Sequence, residues 1–304
     1  MSHEHDHAGH SHAPSADADR NKLALALAII ASFMFVEVAA GLIANSLALL
    51  TDAAHMLTDA GAIALALVAI RLAARPSTGR FTFGFRRAEI LSAQVNGASL
   101  LVLAAVLGYE SIRRFADPPD VEGGLVIVVG VIGGLANVGA AWALARAERR
   151  SLNVDGAMQH VLADLFGSVA AVISGVIIVA TGWGLADPIA AMIVVVLMLR
   201  SGWRLVRDSG RILLEGTPKG MNADEIGSAI CRQTGIVEVH DLHVWEVTSG
   251  FPALSAHMLV DEDDDCHARR REVEAMLADR FHIEHTTIQV DHQGRAPLVQ
   301  IGGT

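Results

Sequence analysis

Six apolar runs occupy the first two thirds of the chain, each close to or above the roughly 20 residues that a helix needs to cross about 30 Å of hydrocarbon. They cover roughly Leu23 to Ala44, Leu47 to Leu72, Ala88 to Ile112, Leu125 to Leu144, Leu152 to Gly182 and Pro188 to Val206. Past Glu215-Gly216-Thr217-Pro218 the pattern shortens and begins to alternate. Asn222 to Thr234 reads as a helix, Ile236 to Val247 and Ala253 to Val260 as strands across a Thr-Ser-Gly turn, Arg269 to Arg280 as a second helix, and Thr286 to Val290 as a last strand. The pattern therefore predicts an α-helical membrane protein with six transmembrane helices and a C-terminal cytoplasmic α+β domain of order αββαβ. Residues 1–22 form a polar, His-rich tail expected to be disordered, 23–208 the membrane domain, 209–293 the cytoplasmic domain and 294–304 a C-terminal tail.

Composition agrees: 52% of the 304 residues are hydrophobic and 18% charged, with a mean hydropathy of +0.42, too apolar for a soluble globular chain. Arg71, Arg75, Arg80, Arg86 and Arg87 fill the second connection, Arg146, Arg149 and Arg150 the fourth, and Arg200, Arg204, Arg207 and Arg211 the exit of the last helix. The positive-inside rule then places both termini in the cytoplasm. The N-terminal segment lacks the basic-then-apolar profile of a cleaved signal, so the first span is expected to remain. Having two Lys against twenty-one Arg suggests a GC-rich genome, hence a bacterial inner membrane.

Most of the formal net charge of −10 comes from Ile212 onward, where sixteen acidic side chains meet seven basic ones. Such a surface excludes a nucleic-acid partner and suits contact with cations. Cys231 and Cys266 both lie in this cytoplasmic part, where reduced thiols are expected rather than a disulfide.

Four residues carry the candidate chemistry. His55 and Asp59 interrupt the second apolar run, and His160 and Asp164 interrupt the fifth. A carboxylate at the middle of a spanning helix costs roughly 2.5 to 3.5 kcal/mol on insertion scales, so its presence needs a use. Spaced four apart, the imidazole and carboxylate of each pair share one helical face. Ser46-Leu47 precedes the first pair and Ser151-Leu152 the second at the same offset, which makes the two halves an internal repeat. Helix 5 is three spans on from helix 2, so the matched helices run in opposite directions, as in inverted-repeat transporters with a midplane site. Each His lies about 12 Å and each Asp about 18 Å into a core of about 30 Å, which brings the four groups level. Two nitrogens and two oxygens are a ligand set that zinc accepts. Interhelical hydrogen bonding alone accounts for one such pair more readily than for two that match in identity, spacing and depth.

Other polar groups at membrane depth are weaker signals. Glu37, Asn96 and Asn137 read as partners inside the bundle rather than ligands, and Asp52 as part of an entry path. Asp187-Pro188 reads as a cap and first residue of the sixth helix. In the soluble part, His240 and His257 fall on neighbouring strands and Asp291 on a third, which permits one shared metal site, while Asp261 to Asp265 reads as a solvated turn that caps a helix. The run His3, His5, His7, His10 and His12 reads as a metal-collecting tail of low affinity.

The paired His-x-x-x-Asp motifs, Asn45-Ser46-Leu47-Ala48-Leu49-Leu50, Phe83-Gly84-Phe85-Arg86-Arg87-Ala88-Glu89, Glu215-Gly216-Thr217-Pro218 and His240-Asp241-Leu242-His243-Val244-Trp245 resemble the cation diffusion facilitators over about residues 20 to 292. The chain is most similar to their bacterial zinc, cobalt and cadmium resistance branch. The resemblance implies a homodimer with a metallochaperone-like cytoplasmic domain that exports divalent cation in exchange for protons. It implies a transport site of His55, Asp59, His160 and Asp164, and a cytoplasmic-domain site at or near His240, His257, His285 and Asp291. It also implies a charge pair between Arg87 and Glu215 that braces the dimer at the membrane surface. Two departures stand out. Residues Arg71 to Arg87 contain no His or Asp, so a secondary site known in some members is expected to be absent, and the fourth connection is short and basic instead of His-rich.

Metal needs neutral imidazoles and ionised carboxylates, so occupancy by metal and by protons excludes each other, which is the basis of coupling. Zinc is the expected substrate and regulatory ligand, with no further cofactor; cobalt- or cadmium-preferring efflux is the alternative. A membrane-anchored metal sensor or buffer has no need of ligands at membrane depth. A metal-dependent hydrolase would need an open coordination position and a general base, and no His-Glu-x-x-His motif occurs, so the chain is expected not to be an enzyme.

Overall fold

The computed structural model describes residues 16–43, 47–116, 122–147 and 152–293, excluding the side chains of residues 16–19, 37, 40–43, 47–55, 58 and 153. The N-terminal histidines and the 294–304 tail, like Glu37 and Asp52 as side chains, therefore lie outside what can be compared with the sequence reading.

Six long helices come first: α1 (Ala16–Ile43), α2 (Leu47–Ala73), α3 (Ala88–Ala116), α4 (Gly123–Leu144), α5 (Leu152–Thr181) and α6 (Ala186–Leu213). Among the described residues, four of them (α3, α4, α5 and α6) are long and apolar enough to span a membrane by length and composition. The side chains they turn outward are Val, Ile, Leu, Phe and Trp, such as Val102, Leu135, Val179 and Trp203, the reverse of a soluble surface. Small residues set the inner contacts, as in membrane bundles generally. A Cβ on Gly97 of α3 would lie 3.0 Å from the backbone nitrogen of Val206 on α6, and one on Gly175 of α5 would lie 2.9 Å from the carbonyl oxygen of Gly123 on α4. Accordingly α3 packs on α6 and α4 on α5, while α1 bridges α2 and α4, and α5 touches α2, α3 and α6. One buried cluster joins Leu23, Ile30, Ile63, Ile70, Ala140 and Val161; another joins Leu100, Ala104, Val194 and Met198.

Several boundaries differ from the apolar runs: α1 already begins at Ala16, inside the segment expected to be disordered, and α3 continues to Ala116. Helix α6 continues seven residues past Val206, because Arg207 and Arg211 continue the helix beyond the apolar stretch while Leu205, Ser209 and Ile212 keep one face buried. At its other end the helix begins at Ala186, so Asp187 lies inside the first turn and is not the cap. Its carboxylate instead accepts from Arg114 Nη1 at 3.1 Å, a partner on α3.

The cytoplasmic domain follows the predicted order: α7 (Ala223–Cys231), β1 (Ile236–Glu246), β2 (Pro252–Val260), α8 (Cys266–Phe281) and β3 (His285–His292). Strands β1 and β2 form an antiparallel hairpin, and α8 crosses over to bring β3 parallel to β2, giving sheet order β1-β2-β3. Alternation on β2 sends Leu254, Ala256, Met258 and Val260 into a core shared with Ile226, Ile230, Val273, Leu277 and Ile283.

Helix α8 is capped by Asp265, whose carboxylate accepts from the backbone N–H groups of His267 at 2.9 Å and Ala268 at 3.1 Å. The Ala268 N–H, helped by that of His267, holds the Asp265 carboxyl below its ordinary value. A folded carboxyl of lowered pKa stabilises the domain above the unfolded value, and that contribution is lost as pH falls through the folded one. Asp265→Ala is expected to lower the melting temperature at neutral pH and to leave it unchanged in acid strong enough to protonate the folded carboxyl. An equal loss at both pH values would contradict the assignment.

The hairpin tip joins the two parts. Thr248 donates to Glu89 of α3 at 3.2 Å, Leu152 N–H at the start of α5 donates to Ser249 Oγ at 3.2 Å, and the Arg86 guanidinium stacks 4.6 Å over Phe251. Lys219 also pairs with Asp208 near the end of α6.

Candidate metal centre

Asp59 on α2 and His160 on α5 meet inside the bundle, only 4% and 1% exposed. His160 Nδ1 lies 3.4 Å from Asp59 Oδ1. The other ring nitrogen, Nε2, lies 3.2 Å from the backbone carbonyl oxygen of Asn96 on α3. A carbonyl only accepts, so Nε2 carries the proton and donates. In the neutral ring Nδ1 is then a bare lone pair facing a carboxylate oxygen that has no hydrogen-bond partner. Fixing one imidazole nitrogen on a backbone carbonyl so that the other is free to ligate is the usual outer support of a metal-binding histidine.

The spacing suits a shared cation. Ligand atoms about 2.1 Å from a tetrahedral ion stand about 3.4 Å apart, which is the separation found between Nδ1 and Oδ1. A proton on Nδ1 would serve the same gap by making the ring a cation. The pair can therefore be bridged by metal or closed by a proton.

Asp164, one turn beyond His160, lines with Asp59 a cavity of about 400 Å³ to which all six long helices contribute. His55 stands one turn before Asp59 on α2, and its side chain lies outside the described residues. Asn96 serves through its backbone oxygen and Nδ2, the latter donating to the Ala62 carbonyl at 3.5 Å, as a partner inside the bundle. Asn137 is buried as well, and the Oδ1 atoms of both asparagines have no hydrogen-bond partner, but of the two only Asn137 lines the cavity.

In the cytoplasmic domain the register pairs His240 with His257, their rings edge to face at 5.3 Å. Asp241 joins them, with Oδ2 3.5 Å from His257 Nδ1, so that each of the three offers an atom within 4.8 Å of the others. Neighbours on a regular strand face opposite ways, yet His240 and Asp241 share a side. The cause is a bulge between His240 and His243, where Asp241 takes a left-handed conformation with φ 50°. The sequence reading missed Asp241. Its signal was an Asp, a residue that tolerates this conformation, inside an otherwise β-forming run.

Of the other two residues placed at this site, Asp291 pairs in register with Leu259, two positions from His257, and accepts from Gln289 Nε2 at 2.9 Å. His285 is not brought to the pair. It aligns with Ala253, about 13 Å along the strand from the position opposite His257, and its ring packs against Phe83 and Phe251. Arg87 Nη2 meets Glu215 Oε1 at 3.0 Å near the membrane surface.

Long apolar helices with a buried carboxylate–imidazole pair between them, followed by a small α+β domain that carries a His–Asp–His cluster, define a multi-pass membrane protein. The chain belongs to the cation efflux family: residues 23–214 match its transmembrane domain and residues 218–293 its cytoplasmic domain. It is 44% identical to the zinc transporter ZitB of Escherichia coli (strain K12) over 265 residues, 86% of this chain and 84% of that protein. It is 40% identical to the cadmium, cobalt and zinc/H(+)-K(+) antiporter of Bacillus subtilis (strain 168) over 267 residues, 86% of each. The metal cation efflux system protein CzcD of Cupriavidus metallidurans is 39% identical over 261 residues, 86% of this chain and 83% of that protein. The solved metal-bound C-terminal domain of a CzcD transporter is 35% identical, covering 23% of this chain and 99% of its own, with a TM-score of 0.23.

Proposed function

We propose that this protein exports zinc from the cytoplasm in exchange for protons, through a site made of His55, Asp59, His160 and Asp164. The reading rests chiefly on the 3.4 Å gap between His160 Nδ1 and Asp59 Oδ1, with Nε2 committed to a carbonyl. That gap admits a cation or a proton but not both, so filling it with one releases the other. Rocking of α2 and α5 against the remaining helices would expose the filled site to each side in turn. Two imidazoles with two carboxylates suit zinc, and cobalt and cadmium fit the same set; the similar proteins are named for these three metals.

Under this reading the basic connections face the cytoplasm of a bacterial inner membrane, with both termini on that side. The cytoplasmic domain is small, and Leu214 at the end of α6 is 86% exposed, which favours a homodimer. His240, Asp241 and His257, with Asp291 at their edge, form the regulatory zinc site, which shifts the population of transport-ready dimers to the extent that zinc binds those more tightly.

Purified protein in liposomes with an acidic lumen should accumulate zinc, and the accumulation should collapse when an ionophore dissipates the pH difference. Zinc uptake unaffected by the ionophore would remove the antiport reading.

A further inference from the structure

Asn137 combines features that the transport pair does not use. It is 3% exposed, it lines the 400 Å³ cavity that also holds Asp59 and Asp164, and its Oδ1 lacks a hydrogen-bond partner. An unpaired amide oxygen deep among apolar side chains is costly, and most buried polar groups avoid that state.

Helix contacts put Asn137 at the height of the carboxylates. A Cβ on Gly130 would lie 3.1 Å from the Ser168 carbonyl oxygen, and one on Gly134 would lie 3.4 Å from Ser168 Cβ, while Gly123 faces Gly175. Position along α4 thus rises as position along α5 falls. Asn137, nearly one turn beyond Gly134, comes level with Asp164, one turn before Ser168. On its other flank, a Cβ on Gly139 would lie 3.8 Å from the Ile29 side chain of α1, so Asn137 stands between α1 and α5.

By the orientation argued above, Leu125 and Val129 of α4 and Leu107 of α3 lie toward the outer face, so the cavity extends from the carboxylates outward. We propose that Asn137 donates its carboxamide oxygen to the cation as it passes from the Asp59–His160 pair into this cavity, and so helps to determine which metals are released. An amide oxygen is neutral at every working pH, so it holds the ion without competing protons. It also adds an oxygen to the ligand set, which favours ions that accept more than four donors over strictly tetrahedral ones. The inference rests on the antiport reading of the same site.

The test is proton-driven uptake of zinc and cadmium into liposomes by wild-type protein, Asn137→Leu and Asn137→Asp, with melting temperatures measured alongside. Asn137→Leu removes a buried unpaired polar group at nearly constant volume. It is expected to melt no lower than wild type, to transport zinc about tenfold more slowly, and to change the ratio of cadmium to zinc flux. Asn137→Asp, read as well in case the leucine variant does not assemble, keeps an oxygen but adds a protonatable group. Its flux should depend on lumen-side pH more steeply than that of wild type. Wild-type rates and metal ratio in Asn137→Leu, or a wild-type pH profile in Asn137→Asp, would overturn the inference and leave the antiport reading intact. Failure of the wild-type protein to move either metal would overturn both.

Discussion

Alanine at His160 is expected to reduce proton-driven zinc flux by more than about 100-fold, beyond the 10- to 100-fold lost when only an outer partner of a metal ligand is removed. The change deletes Nδ1, the atom facing Asp59, and with it the donor that occupies the Asn96 carbonyl. Asp59 would then be a buried carboxylate with no imidazole nitrogen opposite it to share a cation, which weakens metal binding. Asp59→Asn should be nearly as inactive, because it keeps the volume and removes the charge. His160→Gln separates ligation from packing: its amide can still donate to the Asn96 carbonyl, yet it offers no imidazole. A glutamine variant that transported zinc at the wild-type rate would show that His160 positions α3 rather than binding the ion. The cytoplasmic domain has its own core, so its stability should be unaltered in all three variants.

Valine at Gly175 should have the next largest effect, on assembly rather than chemistry. A Cβ at this position sits 2.9 Å from the Gly123 carbonyl oxygen, backbone that cannot swing aside as a side chain would. Overpacking a fixed contact costs about 1–3 kcal/mol, and here the alternative is separation of α4 from α5 along the contact that sets the height of Asn137 against Asp164. The yield of folded protein in detergent and its melting temperature should both fall. Valine at Gly124, one residue from the other side of the same contact, meets nothing within 4 Å and serves as the control. Equal behaviour of the two variants would mean that the helices are not held this closely.

The long helices were legible because each is an apolar run and most of their ends are marked by Arg, Gly or Pro, and the strands because β2 largely alternates between core and surface. Internal repetition pointed to Asp59 and His160, since matching pairs on antiparallel helices converge wherever the helices touch. Features set by partners distant in sequence were not legible. Asp187 looks like a cap until Arg114, 73 residues earlier, is seen to take its carboxylate. His285 lies on the same sheet face as His257, but alternation gives the face and not the distance along it, which the β2–β3 register fixes. Asp241 joins His257 only because a bulge breaks the alternation on which the strand reading depends. Asn137 resembles Asn96 in type, in burial and in an amide oxygen without a hydrogen-bond partner; of the two, only Asn137 lines the cavity, and that depends on the packing of distant helices.

Anomalous diffraction at the zinc edge, from crystals of the full chain grown with zinc, tests the central claim most directly because it locates every bound ion at once. A peak is expected about 2 Å from both His160 Nδ1 and Asp59 Oδ1, with Asp164 and His55 completing the shell, and a second among His240, Asp241 and His257. A membrane domain without a peak between α2 and α5, in crystals whose cytoplasmic domain is loaded, would contradict the account.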